Sequence, residues 1–368
     1  LLVTRNPVKV MATLMVDYSC AMKLAAPVAV LSAMKEAAEQ GILVKGGKFL
    51  EEAAKADTVV FDKTGTLTAA TPRLSRILPL AGRSQEEVLK LAACLEEHFA
   101  HPIANAIVAA ANERGIAHPE DHAKVEYIVA HGIATHLAGA RLLIGSAHFI
   151  FDDEQVERPA DLADIQAQAI AGGESLLYLA EEKSLIGIFA INDPVRPDAA
   201  DILQALRRTG VRTCTMITGD DEGAARTVAK AAGLDEYISR ALPEDKVAYI
   251  NKCREQGRTV IMIGDGINDA PALAAANTGI AMGDCSDITG ETADIVLPAG
   301  DGLQSLTKTR LLGKRLMRRI DENNAGIIAI NSALIVAGLF GLVPPSLAAL
   351  LHNGSTVLFS VRAAQKYL

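Results

Sequence analysis

The sequence predicts an α/β protein with membrane-spanning helices, and two observations lead to this prediction. Three short apolar runs, at 58–61, 215–217 and 260–263, contain β-branched residues and are each followed by a turn that contains Asp. Such runs are typical of buried strands in a parallel sheet, whose carboxyl ends carry the ligand-binding residues. The 368 residues are also 50% hydrophobic, with a slightly positive mean hydropathy. A wholly soluble chain is usually more polar, so we expect a few membrane spans.

The first strand end carries the strongest chemical signal. Residues 62–68 read Asp-Lys-Thr-Gly-Thr-Leu-Thr and directly follow the apolar run at 58–61. A carboxylate at such a strand end projects above the sheet edge, and the N–H groups of a glycine-containing turn can hold an anion beside it. In this setting a carboxylate can act as a nucleophile and form an aspartyl-phosphate. Asp62 is therefore the predicted nucleophile.

Later segments supply the partners that an aspartyl-phosphate needs. Thr218 begins a second strand-to-turn motif, and its hydroxyl can donate a hydrogen bond to a phosphoryl oxygen. Lys246 lies in the predicted first turn of a helix, where its ammonium can act as a point charge on phosphate. Asp265 ends the third strand, and with Asp62 it offers the oxygen ligands that Mg²⁺ prefers. These strand ends predict a phosphate and magnesium site.

Together these motifs closely resemble the catalytic domain of P-type ATPases, which is built on the haloacid-dehalogenase-like α/β fold. Residues 62–68 match the phosphorylation signature of that family, and the resemblance runs from about residue 10 to the C-terminus. It implies that ATP phosphorylates Asp62, and that Lys246, Thr218 and Asp220 act in the same step. The residues that it assigns to the remaining phosphate and Mg²⁺ positions are Thr64, Gly219, Asp265, Asn268 and Asp269.

Thr64 distinguishes two reaction classes within this fold. Related phosphatases carry a second Asp two residues after the nucleophile, where it acts as a general acid and base. Thr64 cannot shuttle a proton at neutral pH. We therefore expect a phosphoenzyme that persists long enough to drive a conformational step, which favours a pump over a phosphatase.

Three apolar segments, at 10–34, 326–343 and 346–361, are predicted to span a membrane, although the third is short. Buried core helices are the alternative interpretation. Cationic residues follow the first segment and precede the second, and they are Lys35, Lys45, Lys48 and Lys55, then Arg310, Lys314, Arg315, Arg318 and Arg319. Positive residues mark the cytosolic side. We therefore expect a protein of the plasma membrane whose catalytic domains are cytosolic.

The predicted domain organisation places one domain inside another. Residues 1–50 form a span and a stalk, 51–69 and 188–303 form the phosphorylation domain, and 304–368 form a stalk and two spans. Residues 70–187 form an inserted α+β nucleotide-binding domain. The sequence begins like the middle of a protein, and the resembled family carries earlier spans and an actuator domain. We therefore expect a missing N-terminal half as a partner.

The resemblance assigns part of the inserted segment to ATP. His101 and Pro102, preceded by Glu97, match the adenine-contacting His-Pro of heavy-metal pumps. The alternative interpretation is a helix N-terminus with Pro at its first position. The Gly-x-Gly turn of the family falls on residues 130–132, where only Gly132 is kept, and Gly145 lies near its second glycine position.

Polar residues inside the first and last predicted spans indicate a site for a transported cation. Asp17 and Cys20 lie in the first span, where ionisable groups cost about 2.5–3.5 kcal/mol each and usually mark an ion path. Heavy-metal pumps carry a Cys-Pro-Cys type motif here, and residues 18–20 keep only its last Cys. His352 and Ser355 lie in a segment that resembles the His-Glu-Gly motif of cobalt-type pumps.

A mixed site of sulfur, nitrogen and oxygen ligands suits a borderline divalent ion. Zn²⁺, Co²⁺, Fe²⁺, Mn²⁺ and Ni²⁺ all stay open, whereas one thiolate does not select Cu(I) as two do. The resemblance implies that ATP drives a transition-metal cation out of the cytosol across the lipid bilayer. The alternatives are a non-transporting fragment that binds ATP and at most autophosphorylates, and a phosphatase of the same fold. The net charge of −8 argues against a nucleic-acid partner.

Overall fold

The apolar runs that end in acidic turns are strands of one sheet in the computed structural model. The structure describes residues 7–69, 71–97, 102–116, 126–128, 132–137, 139–220, 222–265, 269–283, 287–300 and 302–368. The chain divides into two units, one formed by Leu1–Val59, Gln204–Arg212 and Val247–Leu368, and one formed by Val60–Leu203 and Thr213–Lys246.

The helices of the described residues, in chain order, are α1 (Pro7–Leu14), α2 (Ser19–Glu39), α3 (Gly47–Lys55), α4 (Gln85–Glu96), α5 (Pro102–Glu113), α6 (Leu162–Gly172), α7 (Ala199–Arg208), α8 (Glu222–Ala232), α9 (Pro243–Glu255), α10 (Ala270–Ala275), α11 (Asp287–Thr292), α12 (Gly302–Phe340) and α13 (Pro345–Ala363). The strands are β1 (Leu43–Val44), β2 (Thr58–Phe61), β3 (Arg73–Pro79), β4 (Glu126–Ile128), β5 (Gly132–Leu137), β6 (Ala140–Gly145), β7 (Ser175–Glu181), β8 (Ser184–Asn192), β9 (Thr213–Ile217), β10 (Glu236–Ile238), β11 (Val260–Gly264), β12 (Thr278–Ala281) and β13 (Ile295–Val296).

A seven-stranded sheet has the order β1-β13-β12-β11-β2-β9-β10. Strands β9 and β10 run parallel, as do β11, β12 and β13, while β1 adds an antiparallel edge. All residues of β2, β11 and β12 are buried, because a parallel sheet is covered on both faces. The predicted α/β fold is confirmed, and the three predicted strands are β2, β9 and β11.

A second, six-stranded sheet is antiparallel and has the order β3-β8-β7-β6-β5-β4. Helices α4 and α5 bury apolar side chains such as Val88, Leu89 and Ile107 in a shared core with this sheet. Helix α4 begins with a capping box in which the Ser84 and Glu87 side chains bond each other's backbone N–H groups. The predicted inserted α+β structure is therefore present.

Two described helices are long and apolar enough to cross a membrane, judged by length and composition. They are the segment Pro7–Glu39, which contains α1 and α2, and helix α12. Only 22% and 28% of their most apolar stretches are buried, whereas the core helix of a soluble protein would be mostly buried. The third predicted span forms the 19-residue helix α13, which does not meet the same limits.

Helix α2 packs with small side chains against α12 and α13. Every fourth residue of one face is a buried alanine, and these are Ala21, Ala25, Ala29, Ala33 and Ala37. We call this row the alanine seam. Small residues let apolar helices approach closely, which is the usual packing between membrane helices.

The C-terminal end of α2 is tied to the residues after α13 by a buried carboxylate. Glu36 is 7% exposed and accepts hydrogen bonds from the backbone N–H groups of Tyr367 and Leu368, each at 2.7 Å. The Arg319 guanidinium lies 4.0 Å from the centre of the Tyr367 ring. These contacts fix the end of α2 against the chain that follows α13.

Several arginines of the predicted cytosolic cluster serve the fold instead of facing a lipid surface. Arg310 is fully buried and donates to the Ala53 carbonyl at 2.5 Å and to the Thr209 hydroxyl at 2.9 Å. Arg315 and Arg319 donate to backbone carbonyls after α13. Their positive charge therefore has a structural explanation besides the membrane topology.

Candidate phosphorylation and ion-binding sites

Asp62 ends β2 and begins the tight turn formed by residues 63–67. Its carboxylate is 9% exposed, and Oδ1 lies 2.5 Å from the Lys246 ammonium, which is 7% exposed. Helix α9 positions Lys246 in its first turn, and Asp245 caps that helix by accepting from the Leu242 N–H at 2.8 Å. A buried carboxylate next to a buried ammonium stays ionised, and an ionised carboxylate is the form that attacks phosphorus.

The second motif lies beside the first. Lys63 is buried and forms an ion pair with Asp220, whose carboxylate also accepts from the Thr218 hydroxyl at 3.2 Å. Gly65 has a φ of +71°, a left-handed conformation that glycine adopts without strain, and this allows the tight turn at residues 63–67. The structure thus brings Asp62, Lys246, Thr218 and Asp220 into one unit.

Arg196, which was not among the predicted site residues, binds the backbone of the turn after Asp62 (residues 63–68), which we call the phosphorylation turn. Its guanidinium donates to the carbonyl oxygens of Thr66, Thr68 and Gly65 at 3.0, 3.1 and 3.2 Å. The backbone N–H of Arg196 donates to the Leu67 carbonyl at 2.9 Å. The only signal in the sequence is the segment Asp193-Pro194-Val195-Arg196 after β8, which gives no indication that it contacts residues 130 positions earlier.

Two buried oxygens beside the turn have no hydrogen-bond partner, which suits a site that receives a ligand. They are the Thr66 hydroxyl, which is fully buried, and Oδ1 of Asp193. Burial raises the pKa of Asp193 above its ordinary value, and the hydrogen bond from Thr68 offsets only part of this effect. Waters of a hydrated Mg²⁺ could donate to both oxygens, whereas a phosphoryl group could only accept from the Thr66 hydroxyl.

Acidic residues that could hold Mg²⁺ lie at the ends of β2 and β11. Among the described residues, Asp62, Asp265 and Asp269 are the acidic set suited to a metal ion. Gly264 makes room for Asp269, because a Cβ at Gly264 would lie 2.4 Å from Asp269 Oδ2. Carboxylate oxygens are the donors that Mg²⁺ prefers, so these residues fit the ion. Asn268 lies outside the described residues.

A cleft of about 490 Å³ lies within one unit and reaches the predicted phosphate residues Gly219 and Asp220. Its lining includes Ser146, which follows Gly145, and also Tyr178, Gly219, Asp220 and Arg240. A smaller cavity of about 250 Å³ shares Asp220 and is lined by Lys63, Thr64 and Asp193. Thr64 and Gly219 are exposed and can meet a bound phosphate. Clefts of about 300–1,000 Å³ commonly hold small molecules and cofactors.

The predicted nucleotide residues Gly132, Gly145, Pro102 and Glu97 lie in different elements. Gly132 pairs with Gly145 across β5 and β6, and a Cβ at Gly132 would lie 2.3 Å from the Phe149 ring. Its lack of a side chain therefore has a packing reason. His101 lies outside the described residues, and Pro102 is the first residue of α5. Glu97 is exposed at the end of α4.

Glu96, which was not among the predicted site residues, is buried, unlike its neighbour Glu97. It is 7% exposed, and burial raises its pKa from 4.5 to about 7. A carboxyl that is half protonated near neutral pH can donate a hydrogen bond, which an ionised one cannot. The two glutamates are adjacent in the sequence, and only the helix phase of α4 separates the buried one from the exposed one.

The predicted ion-site residues of the first span lie at a break between α1 and α2. The Asp17 carboxylate accepts from the Cys20 backbone N–H at 2.8 Å and from the Cys20 thiol at 3.2 Å. Both residues are exposed. The Tyr18 hydroxyl lies 2.9 Å from the Ser332 hydroxyl of α12, so the residue at the first Cys position of the family motif anchors the break instead. Breaks of this kind in membrane helices often hold ions.

His352 in α13 is buried and connects to the same break through Asn331 of α12. The Asn331 amide donates to the Asp17 carbonyl at 2.7 Å, and its oxygen lies 3.3 Å from His352 Nδ1. The Ser355 hydroxyl donates to the His352 carbonyl at 2.8 Å, within the same helix. Asp17, Cys20 and His352 do not converge closely enough in the described part of the chain to form a ready metal-binding group.

Comparison with known proteins identifies the family. The model of the haloacid dehalogenase-like hydrolases matches residues 56–277. The chain is 41% identical over 359 residues to a zinc-exporting P-type ATPase of Mycobacterium marinum and 40% identical over 359 residues to a manganese-exporting P-type ATPase of Mycobacterium leprae. It is 37% identical over 360 residues to a probable copper-exporting P-type ATPase of Mycobacterium tuberculosis. Each match covers 97% of this chain but 46–49% of the relative, so the chain spans about half the length of these relatives.

Solved structures agree with this assignment. The crystal structure of a zinc-transporting P-type ATPase superposes with a TM-score of 0.75 at 36% identity, over 94% of this chain and 55% of that one. The catalytic domain of the CPx-ATPase CopB-B superposes with a TM-score of 0.59 at 30% identity, over 76% of this chain and 96% of that domain. The motifs, the fold and these matches agree, and the chain belongs to the haloacid dehalogenase-like hydrolases and, among them, to the heavy-metal P-type ATPases.

Proposed function

We propose that this chain takes part in ATP-driven export of a transition-metal cation through an aspartyl-phosphate on Asp62. The observation that supports this most is the buried pair of Asp62 and Lys246 at the end of β2. In the phosphoryl-transfer step an Asp62 oxygen forms a bond to the γ-phosphorus of ATP, the bond from that phosphorus to the bridging oxygen breaks, and ADP leaves. Lys246 stabilises the charge on the transferred group, and Thr218 donates a hydrogen bond to it.

When bound, Mg²⁺ would screen the phosphate charges at this site, and Asp62, Asp265 and Asp269 would hold it, with Thr64 and Asn268 nearby in the motif. Arg196 keeps the turn rigid, so the Asp62 carboxylate does not have to be reoriented for attack. Thr64 offers no proton to water or to a leaving group, which supports a long-lived phosphoenzyme. This supports a pump and disfavours a phosphatase.

ATP is proposed to occupy the cleft that Ser146 and Asp220 line. The resemblance assigns the adenine to His101, Pro102 and Glu97, of which His101 lies outside the described residues, and Gly145 precedes the lining residue Ser146. Gly219 and Asp220 would lie at the phosphate end. Residues 70–187 would then be the nucleotide-binding domain, between the two parts of a phosphorylation domain at 51–69 and 188–303.

The transported ion is proposed to bind where the first span is broken, with Asp17, Cys20 and His352 as ligands and Ser355 beside them. The named relatives export zinc, manganese and, for one of them, probably copper. A site of carboxylate, thiol and imidazole favours a divalent ion over Cu(I). The spans within 1–50 and 304–368 would lie in the plasma membrane, and their stalks and the catalytic domains would lie in the cytosol.

Phosphorylation from γ-labelled ATP tests this proposal on the membrane-embedded chain, across Zn²⁺, Mn²⁺, Co²⁺ and Cu⁺. We expect an acid-stable, hydroxylamine-sensitive label that one ion stimulates and that Asp62→Asn abolishes. Asp201→Asn, an exposed carboxylate of α7, is the matched control and should keep the label. The ion dependence should be lost in Cys20→Ala and His352→Ala.

A catalytic fragment without transport is the second candidate function, because Asp62, Lys246, Thr218 and Asp220 lie in one unit that contains none of the predicted spans. It predicts a label that disappears in Asp62→Asn but responds neither to any ion nor to the substitutions in the spans. Absence of label in a folded chain that binds ATP would contradict both functions.

A further inference from the structure

Asn331 lies at the centre of the polar contacts between the helix break and α13. It is fully buried in the middle of α12, where a polar side chain is retained only if its hydrogen bonds are made. Its two amide atoms have different partners: Nδ2 faces the Asp17 carbonyl at 2.7 Å, and Oδ1 faces His352 Nδ1 at 3.3 Å.

These contacts determine where the proton of the His352 ring lies. The Asp17 carbonyl can only accept, so the amide must present its NH₂ group to it and its oxygen to the ring. An amide oxygen also only accepts, so Nδ1 must be the donor. A neutral imidazole carries one N–H, and with that proton on Nδ1 the other nitrogen, Nε2, keeps a free lone pair.

We propose that Asn331 is a positioning residue that holds His352 as the Nδ1–H tautomer and thereby presents Nε2 to a divalent cation. The ligand role of Nε2 rests on the proposed function, whereas the tautomer does not. Metal-binding histidines commonly donate their second ring N–H to a neighbouring oxygen, which fixes the ring and increases its basicity. Here that oxygen belongs to the residue that also bonds the broken segment, so the ring and the Asp17 backbone are held by one side chain.

The two hydroxyls on α13 nearest to His352 in the sequence do not bond to the ring nitrogens in the described contacts. Ser355 and Thr356 both donate to the main-chain carbonyl of His352, not to its side chain. Tyr18 is held by Ser332, the neighbour of Asn331 on α12. Asn331 and Ser332 of α12 thus contact Asp17 and Tyr18, which are two of the four residues between α1 and α2, and among the described contacts it is Asn331 that also reaches His352.

The test is the ¹⁵N NMR spectrum of the histidine rings in the metal-free full chain at pH 8, with the His352 signals identified by their loss in His352→Gln. We expect a protonated Nδ1 and an unprotonated Nε2. In Asn331→Ala the preference for this tautomer should be lost. Asn331→Asp keeps an acceptor for the ring and should keep the tautomer, which guards against a variant that fails through misfolding. A wild-type ring protonated on Nε2, or a tautomer unchanged in Asn331→Ala, would overturn the inference.

Zn²⁺ binding by the same proteins connects the tautomer to the ion. We expect Asn331→Ala to weaken Zn²⁺ binding by about 10- to 100-fold, as is typical when the partner of a ligating histidine is removed. Ser360→Ala, which loses only a hydrogen bond within α13, is the control and should bind as the wild type does. Equal Zn²⁺ affinity in wild type and Asn331→Ala would overturn the positioning role. Failure of the wild type to bind any of Zn²⁺, Mn²⁺, Co²⁺, Fe²⁺ and Ni²⁺ would overturn the ion site of the proposed function, while the ring spectrum still decides the tautomer.

Discussion

The phosphorylation turn and the membrane break are both short non-helical segments that carry an aspartate, but their surroundings differ. Asp62 is buried and faces a buried ammonium, and Arg196 holds the turn that follows it. Asp17 is exposed, its carboxylate accepts from Cys20, and its carbonyl accepts from Asn331, which also contacts His352. Under the proposed function, Asp62 attacks phosphorus, which benefits from fixed geometry, whereas Asp17 and His352 bind and release an ion, which ligands on separate segments would allow.

The largest effect that tests this contrast is expected for Lys246→Ala. It leaves the Asp62 carboxylate buried without a counter-charge, which costs about 3–5 kcal/mol in comparable pairs. The thermal unfolding midpoint should fall by several degrees, and label from γ-labelled ATP should decrease by a factor on the order of a thousand. Lys246→Arg keeps the charge and should recover much of the stability. If Lys246→Ala unfolds like the wild type, Asp62 is not held as tightly as its burial indicates.

Glu96 sharpens the contrast within the catalytic unit, because it is buried without a counter-charge. Its pKa in the folded state, about 7, exceeds the ordinary 4.5, so the folded state holds the proton more tightly than the unfolded state does. The stability that this group contributes is complete below about pH 4.5 and is lost as the pH rises through 7, by about 3 kcal/mol in total. Glu96→Gln should unfold with a weaker dependence on pH in this range, as followed by urea titration. Glu97→Gln is the exposed control, and an equal effect of both substitutions would contradict the assignment.

A smaller effect is expected for Arg196→Ala. It removes three contacts from the guanidinium to the turn, and hydrogen bonds to a charged group are worth about 1.5–3 kcal/mol each but are not additive. The rate of phosphorylation should fall by about 10- to 100-fold while the affinity for ATP stays the same, because the residue contacts the turn and not the cleft. Single-turnover kinetics separates the two quantities. A weakened ATP affinity with an unchanged phosphorylation rate would show that Arg196 serves nucleotide binding instead.

The smallest effect is expected at the membrane break. Tyr18→Phe removes one exposed hydrogen bond to Ser332, and such bonds between membrane helices average about 0.6 kcal/mol. The concentration of ion that gives half-maximal phosphorylation should shift by less than about threefold. A loss of ion dependence comparable to that in His352→Ala would mean that the break is as rigid as the phosphorylation turn, and the contrast between the two sites would no longer hold.

The sequence predicted the parts of each site that lie in consecutive residues. The strand β2, the turn at 62–68 and the motif at 218–220 are local, so their chemistry could be read directly. The contact of Arg196 with the turn at residues 63–68 and the contact of Asn331 with Asp17 each join residues more than a hundred positions apart, which no local pattern encodes. The burial of Glu96 and of Arg310 depends on how their helices pack against distant segments, so the sequence did not indicate it, and the prediction for Glu97 stays a prediction.

The alanine seam of α2 has a mechanical consequence. A face made only of methyl groups repeats every four residues, so an axial shift of about 6 Å would place each alanine where its neighbour had been. Side-chain shape therefore does little to define how far along its axis the helix sits. Its two ends do so instead: Asn331 bonds the carbonyl of Asp17 at one end, and Glu36 bonds the residues after α13 at the other. The helix can therefore slide along its axis only when the contacts at both of its ends are released.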